Sequence, residues 1–323
     1  MISELEMKIS RDLLILVAVS FGLLVVSELL APGFIEIDHL SFILEIMAIV
    51  GTAALGQTLV ILTGGIDLSV GTIMYLMLAI APRLMGEEFL LPFLICLAVG
   101  ALVGAVNGIL IAWARVPPII QTIATMTALT GFIFIYTGGV SGAKAHPLLR
   151  AMTVNQIGPL HSCTVIWIIL IIFFYIILHR TTYGRYIQAL GSNPRASYLS
   201  GIKVKLTTFS VYTLSGLLSA LAGLFFYGYA NIPYYPSQTG GLGIDYAFSS
   251  ITAVVVGGTL FTGGKGGPDR TFFGALFMQL LVSLLVMLGL PQALRLLVNG
   301  AILLVIVIIY KLLQKSIKLT KLS

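Results

Sequence analysis

Ten apolar runs of roughly twenty residues follow one another along this chain, the length that a hydrocarbon core of ~30 Å demands of a crossing helix. They fall at 13–31, 40–62, 68–85, 90–113, 119–137, 163–179, 207–230, 246–262, 271–289 and 293–310. Only 9% of the 323 residues are charged and the mean hydropathy is +1.06, whereas a soluble domain carries roughly a quarter charged side chains. The expected fold is an all-α integral membrane protein of about ten transmembrane helices, with residues 1–323 forming one transmembrane domain. The run at 13–31 is longer than a signal-peptide core and lacks a small-x-small cleavage site, so it reads as a retained first span.

Charge sets the orientation. With the N-terminus inside, the inner segments hold Lys8, Arg11, Arg115, Arg180, Arg185, Arg195, Lys203, Lys205, Lys265, Arg270, Lys311, Lys315, Lys318 and Lys321, fourteen of eighteen basic residues. The outer side receives Arg83, Lys144, Arg150 and Arg295, together with Glu36, Asp38, Glu87 and Glu88. This bias predicts both termini in the cytoplasm, and an odd number of spans would scatter it. It also accounts for the net charge of +6 without a nucleic-acid partner. Cys96 and Cys163 lie in or beside apolar stretches and suit neither a disulfide framework nor a metal site.

Residues 181–205 leave the membrane on the cytoplasmic side and contain a complete helix recipe. Asn193 or Ser192 can cap the first free N–H groups, Pro194 suits the first turn, and Gly201 can adopt the left-handed conformation that ends a helix. A two-turn helix flanked by Arg180, Arg185, Arg195, Lys203 and Lys205 is too polar to cross a bilayer. It reads as a docking element for a soluble partner. The outer segments 138–162 and 231–245, rich in Gly, Pro, Asn, Ser and Tyr, are either a surface for a soluble donor protein or plain solvated loops.

Between the second and third runs stands Thr63-Gly64-Gly65-Ile66-Asp67-Leu68-Ser69-Val70-Gly71. Gly64 and Gly65 allow backbone angles that break a helix. Asp67 and Ser69 can cap the helix that follows at the inner membrane edge, satisfying donors that lipid cannot. Direct gating or substrate chemistry at Asp67, an acid close to the membrane, is compatible with that role. The tripeptide Gly65-Ile66-Asp67 recurs as Gly243-Ile244-Asp245 before the eighth run. Five spans apart, the two copies would lie on opposite membrane faces, as an inverted repeat of two five-helix halves requires; three matched residues make this a hypothesis only.

A second glycine cluster, Gly257 to Pro268, invites a phosphate-loop reading that fails: Lys265 is followed by Gly266 rather than Ser or Thr, and no strand precedes it. It reads as a mobile inner turn. Within the spans the polar residues are Gln57, Thr58, Asn107, Gln121, Thr122, Thr125, Thr127, Gln279 and Asn299. Neutral amides and hydroxyls suit a path for an uncharged, hydroxyl-rich solute, and Gln57, Asn107, Gln121 and Thr125 are the candidates to line it; amides that bond neighbouring helices are the alternative. Gly100, Gly104 and Gly108 at four-residue spacing predict close helix packing. No His-Glu-x-x-His, Gly-x-Ser-x-Gly or carboxylate pair is present, so no enzyme is expected. His146 and His161 in an outer loop are expected to bind nothing.

The assembled motifs make the chain similar to the permeases of ribose-type ABC importers, the branch serving ribose, xylose, arabinose, galactose, inositol and related solutes. The resemblance rests on GGIDLSVG (Gly64–Gly71), TTYGRYIQALGSNPRASYLSGIKV (Thr181–Val204) and AVVVGGTLFTGGKGG (Ala253–Gly267), in that order over nearly the whole chain. It implies a multi-pass subunit of a bacterial inner membrane, a dimeric pore made with a second permease copy or paralogue, two cytoplasmic ATPase subunits and an extracytoplasmic solute-binding protein. It implies no cofactor on this chain, ATP and Mg being held by the ATPase. By motif match Asn193, Pro194, Arg195, Ala196, Ser197, Gly201 and Ile202 would belong to the coupling helix, and Gly64, Gly65, Asp67, Ser69 and Gly71 to a gating or helix-break motif. Arg195, Ser197 and Tyr198 stand where Ala and Glu are commoner, and Gly267-Pro268-Asp269-Arg270 also departs from the usual pattern. A self-contained secondary carrier would call for a buried ionisable relay and no docking helix, and this sequence has the reverse. A nucleoside, inositol or autoinducer-like solute remains an alternative within the family.

Overall fold

The computed structural model describes residues 2–140, 142–232 and 242–320, so most of the outer segment 231–245 lies outside the described residues. The described residues form thirteen α-helices and one small hairpin. In chain order these are α1 (Ile2–Leu30), α2 (Ile37–Leu62), α3 (Val70–Leu84), α4 (Leu90–Ala112), α5 (Pro118–Thr137), α6 (Pro147–Val154), β1 (Gln156–Ile157), β2 (Leu160–His161), α7 (Ser162–Arg180), α8 (Thr182–Ser192), α9 (Pro194–Leu199), α10 (Val204–Ala230), α11 (Ile244–Val256), α12 (Pro268–Met287) and α13 (Gln292–Thr320).

Among the described residues, seven helices are long and apolar enough to cross a membrane: α1 through Leu13–Leu30, then α2, α4, α5, α7, α10 and α12. Three shorter apolar helices, α3, α11 and the Gln292–Val305 part of α13, occupy the other three apolar runs. At 1.5 Å per residue α3 rises about 22 Å and α11 about 20 Å, less than the hydrocarbon thickness. Both are short because glycine-rich stretches at one end, 63–69 and 257–267, are not helical.

Helix α2 is the axis of the bundle. From Met47 to Leu62 only Val50 escapes full burial, the condition of a helix apolar on every side. Its small residues let neighbours approach: a Cβ at Gly51 would overlap the Trp167 indole, and Gly56 lies against the Ser215 backbone. Trp167 in turn stacks on Phe272, ring centroids 5.3 Å apart. Helix α10 packs on α2, α3 and α4, and α2 on α7, α11 and α12. The expected packing role of Gly100, Gly104 and Gly108 is met on α10, where a Cβ on each would meet Ala220, the Tyr212 carbonyl and the Phe209 backbone. α1 lies outside this core, touching α12 through a small cluster of Ala31, Phe34, Ile43, Leu280 and Leu284.

The N-termini of α3 and α11 meet. A Cβ on Gly71 would collide with the Gly243 carbonyl, and Thr72 Oγ1 donates to the Leu242 carbonyl at 2.7 Å. At the far end of α10, α6 and the hairpin lie within segment 138–162. Ala145 N donates to Asn231 O at 2.8 Å, which ties this segment to the end of α10.

Candidate functional site

The break after α2 is built by glycine. Gly64 has φ +81°, and the N–H groups of Gly64 and Gly65 donate to the carbonyls of Ile61 and Val60 at 2.9 and 3.1 Å, which closes the helix. The chain then turns back along α2 instead of leaving the bundle. The Gln57 amide, oriented to satisfy both groups, donates to Asp67 O at 3.0 Å and accepts from Asp67 N at 3.3 Å. The refolded segment thus borrows a side chain for backbone groups that lipid could not satisfy.

Asp67 is fully buried. Its Oδ1 accepts from Ser69 N at 3.0 Å and Ser69 Oγ at 2.6 Å, and its Oδ2 accepts from Ser215 Oγ of α10 at 3.0 Å. Ser69 Oγ accepts from Asn107 Nδ2 of α4 at 3.0 Å. Asn107 Oδ1 accepts from Thr125 Oγ1 at 2.5 Å and Gln121 Nε2 at 3.2 Å, both on α5. Thr122 of α5 donates to Ile66 O at 3.3 Å. One hydrogen-bonded network therefore joins α2, the 63–69 segment, α4, α5 and α10, and it contains all four residues expected to line a solute path. Gln57, Asn107 and Gln121 are buried, and Thr125 is half-buried.

Two expectations about this segment change. Ser69 occupies the N-cap position of α3 but makes no side-chain cap bond; Asp67 binds the N–H and hydroxyl of Ser69 itself, closing a turn ahead of the helix. Nor does Asp67 lie at an end of the bundle's helices. Its partner Ser215 is about 16 Å from the start of α10, a helix about 40 Å long, which puts the carboxyl beside the middle of that helix. Folding back along α2, not capping, carries it there.

The helix recipe at 193–201 is met in detail. Asn193 is the N-cap of α9 and accepts from Ala196 N at 3.0 Å; Pro194 is in the first turn. Gly201 has φ +81°, and Ser200, Gly201 and Ile202 return N–H bonds to Ala196, Tyr198 and Ser197. Ser197 is buried, whereas Pro194, Arg195 and Ala196 are exposed and Tyr198 and Leu199 are more than 70% exposed (72% and 77%). A helix this short cannot hold itself by propagation, so its shape depends on these caps.

Three sequence blocks converge beneath it at Leu62. Gly264 N donates to Leu62 O at 2.9 Å. Gly191, near the end of α8, lies so close to that carbonyl and to Gly264 N that a Cβ there would overlap both. Gly263 abuts Gly64 N, and Arg270 Nη1 donates to Gly258 O at 3.0 Å. Tyr183 of α8 and Ser210 of α10 share a hydrogen bond of 2.8 Å; burial raises the Tyr183 phenol above its ordinary value, and the Ser210 bond opposes that shift. The end of α8, the glycine turn and the break after α2 thus form one packed layer, and α9 follows α8 in the chain and packs on α8 and α10. Gly191 could not be read as a member of it, nor Ser215 as a member of the Asp67 network, since each looks in sequence like an ordinary small packing residue.

His146 and His161 are engaged locally. His146 Nδ1 accepts from Leu148 N at 3.2 Å as the cap of α6, and His161 shares a 3.1 Å hydrogen bond with Ser41 and lies 3.8 Å from Glu45. Among the described residues no group of three or more His, Cys, Asp or Glu side chains could hold a metal.

Comparison with known proteins places this architecture. Residues 39–307 match the family described as branched-chain amino acid transport system / permease component. The chain is 37% identical over 299 residues to the ribose import permease protein of Escherichia coli strain K12, covering 89% of this chain and 90% of the relative. It is 35% identical to the fructose import permease protein of Rhizobium meliloti, covering 82% and 74%. The autoinducer 2 import system permease of Escherichia coli O157:H7 is 31% identical, covering 92% and 89%. No solved structure matches the chain.

Proposed function

The chain belongs to the branched-chain amino acid transport system / permease component family, and from that membership we propose that it is the membrane subunit through which an ABC importer admits a sugar or sugar-like solute to a bacterial cell. A permease of this kind hydrolyses no ATP; an ATPase partner does so, and a binding protein delivers the solute. A sugar, rather than the branched-chain amino acid of the family's description, follows from the relatives. Those at 31–37% identity over most of both chains are named for ribose, fructose and autoinducer 2.

The observation that carries the importer reading is α9, an exposed, doubly capped helix packed on α8, whose Gly191 abuts the end of α2. In this reading Asn193, Pro194, Arg195, Ala196, Ser197, Gly201 and Ile202 form the contact with the ATPase. A displacement of α9 passes through Gly191 to Leu62, and so to Gly64, Gly65, Asp67, Ser69 and Gly71 at the root of α3. The network of Gln57, Asn107, Gln121 and Thr125 makes the 63–69 segment move with α4, α5 and α10. These four residues then act on the path by holding its wall.

The short helices count as crossings when their non-helical neighbours are included, giving ten, and the charge bias then keeps both termini in the cytoplasm. Packing supports the inverted repeat. Helix α10 packs on α3 and α4 as α2 packs on α11 and α12, and α5 lies against α3 as α13 lies against α11. A second copy or paralogue would complete the pore.

The test is purification from the native membrane with identification of what accompanies the chain. Recovery of an ATPase, lost when Asn193 and Gly201 are both replaced, is expected. Recovery of the chain alone, transporting in liposomes without ATP, would overturn the importer reading.

A further inference from the structure

Apart from the polar network, a cavity of about 360 Å³ opens between α2, α11, α12 and α13, within the ~300–1,000 Å³ range of small-molecule sites. Its walls carry an acid, Asp245, a base, Arg295, three amides, Gln279, Gln292 and Asn299, and the hydroxyl of Ser249, against an apolar floor from α2 and α12. The cavity lies deep. Gln279 is about 16 Å along α12, and Asp245 is in the first turn of α11, beside the junction with α3 at Gly71. Arg295 had read as an outer flanking charge; the structure puts it in the first turn of α13, lining this space.

The chemistry of the wall points to a ligand. An acid and a base on a cavity wall within the bilayer cannot face lipid without cost, so the opening meets water, solute or a second subunit.

We infer that this cavity is the intramembrane cradle for the transported solute, and that Asp245 and Arg295 hydrogen-bond the hydroxyls of the sugar-like solute proposed above. A carboxylate accepts from neighbouring hydroxyls, a guanidinium donates to ring and hydroxyl oxygens, and amides do both, which together match a sugar face. The cradle rests on the importer reading and adds to it a place where solute is held by this chain. In it the outward-running α3 and inward-running α11 meet beside the solute, so movement of either changes the cavity wall.

The experiment uses the permease with its ATPase and binding protein in proteoliposomes, and two readouts. First, Ser249→Cys and Asn299→Cys are labelled with a membrane-impermeant methanethiosulfonate; the native Cys96 and Cys163 are buried and give a low background. D-ribose or D-fructose at high concentration is expected to slow labelling, and L-leucine is not. Second, Asp245→Asn and Arg295→Gln are expected to lower sugar uptake about tenfold or more, the worth of one charge-assisted hydrogen bond, while ATP hydrolysis stimulated by loaded binding protein persists. Unprotected cysteines together with normal uptake in both variants would overturn the cradle and leave the importer intact. Protection by L-leucine alone would overturn the sugar class. Uptake that needs no ATP in the unaltered protein would instead overturn the importer reading beneath it.

Discussion

Replacing Asp67 separates the two roles a buried acid can have. Asp67→Ala deletes the acceptor for Ser69 N, Ser69 Oγ and Ser215 Oγ, at 3.0, 2.6 and 3.0 Å. The Ser69 N–H cannot turn elsewhere, and left buried it costs about 1–3 kcal/mol; the two hydroxyls can rotate to poorer acceptors, at about 1 kcal/mol each. The expected loss is about 3–5 kcal/mol. Asp67→Asn is different. Its carbonyl oxygen can keep both Ser69 bonds while its amide donates to Ser215 Oγ, so the loss should stay within about 1 kcal/mol. Thermal denaturation in detergent followed by size exclusion measures the order, and a double-mutant cycle with Ser215→Ala isolates that bond at about 1–2 kcal/mol. If Asp67 acts by holding the refolded segment, Asn also keeps solute uptake near the native rate. An Asn variant with native stability and no uptake would refute that reasoning and assign the negative charge a direct part in transport. An Ala variant as stable as the native protein would refute the hydrogen-bond account itself.

The remaining tests probe packing and the inner layer. Gly104→Val places a branched side chain against the Tyr212 carbonyl, a backbone atom that cannot step aside; it should destabilise by about 1–3 kcal/mol or more, read by the same denaturation assay. Gly201→Val meets no neighbour but must adopt φ +81°, at a cost of roughly 1–2 kcal/mol. It is expected to leave ATP hydrolysis running with uptake impaired, whereas Gly201→Asn, which tolerates that conformation, should retain uptake. Asn193→Ala removes the bond to Ala196 N and should weaken the cap by about 0.5–2 kcal/mol, seen as reduced ATPase recovery in co-purification with unchanged overall melting. Trp167→Ala vacates the stack on Phe272 beside Gly51 and should cost about 3–5 kcal/mol.

The inner layer has a consequence for how force travels. Leu62 O receives Gly264 N and is overlain by Gly191, so α2, α8 and the 257–267 turn cannot shift independently at that point. The turn, which reads in sequence as mobile, is held at Gly258 by Arg270 and at Gly264 by α2. An exposed helix packed on α8 can move a buried segment through this layer without touching it.

Local chemistry was legible in the amino-acid order alone. Membrane residence follows from the apolar runs, and the caps of α9 from Asn193, Pro194 and Gly201, because a cap concerns only neighbours in the chain. The α4 seam was legible from Gly100, Gly104 and Gly108, since spacing of four keeps them on one helix face. The place of Asp67, the meeting at Leu62 and the cavity holding Asp245 and Arg295 depend on which helices pack together. Hydrophobic pattern cannot report that in a membrane, because lipid is as apolar as a protein core and an inward face looks like an outward one. The apolar window of α1 is 11% buried and that of α2 is 83% buried, although both are simply greasy helices when read as letters. Tertiary packing made one the wall and the other the axis, and with the axis in place it carried a carboxyl from the apparent membrane edge to the middle of the bundle.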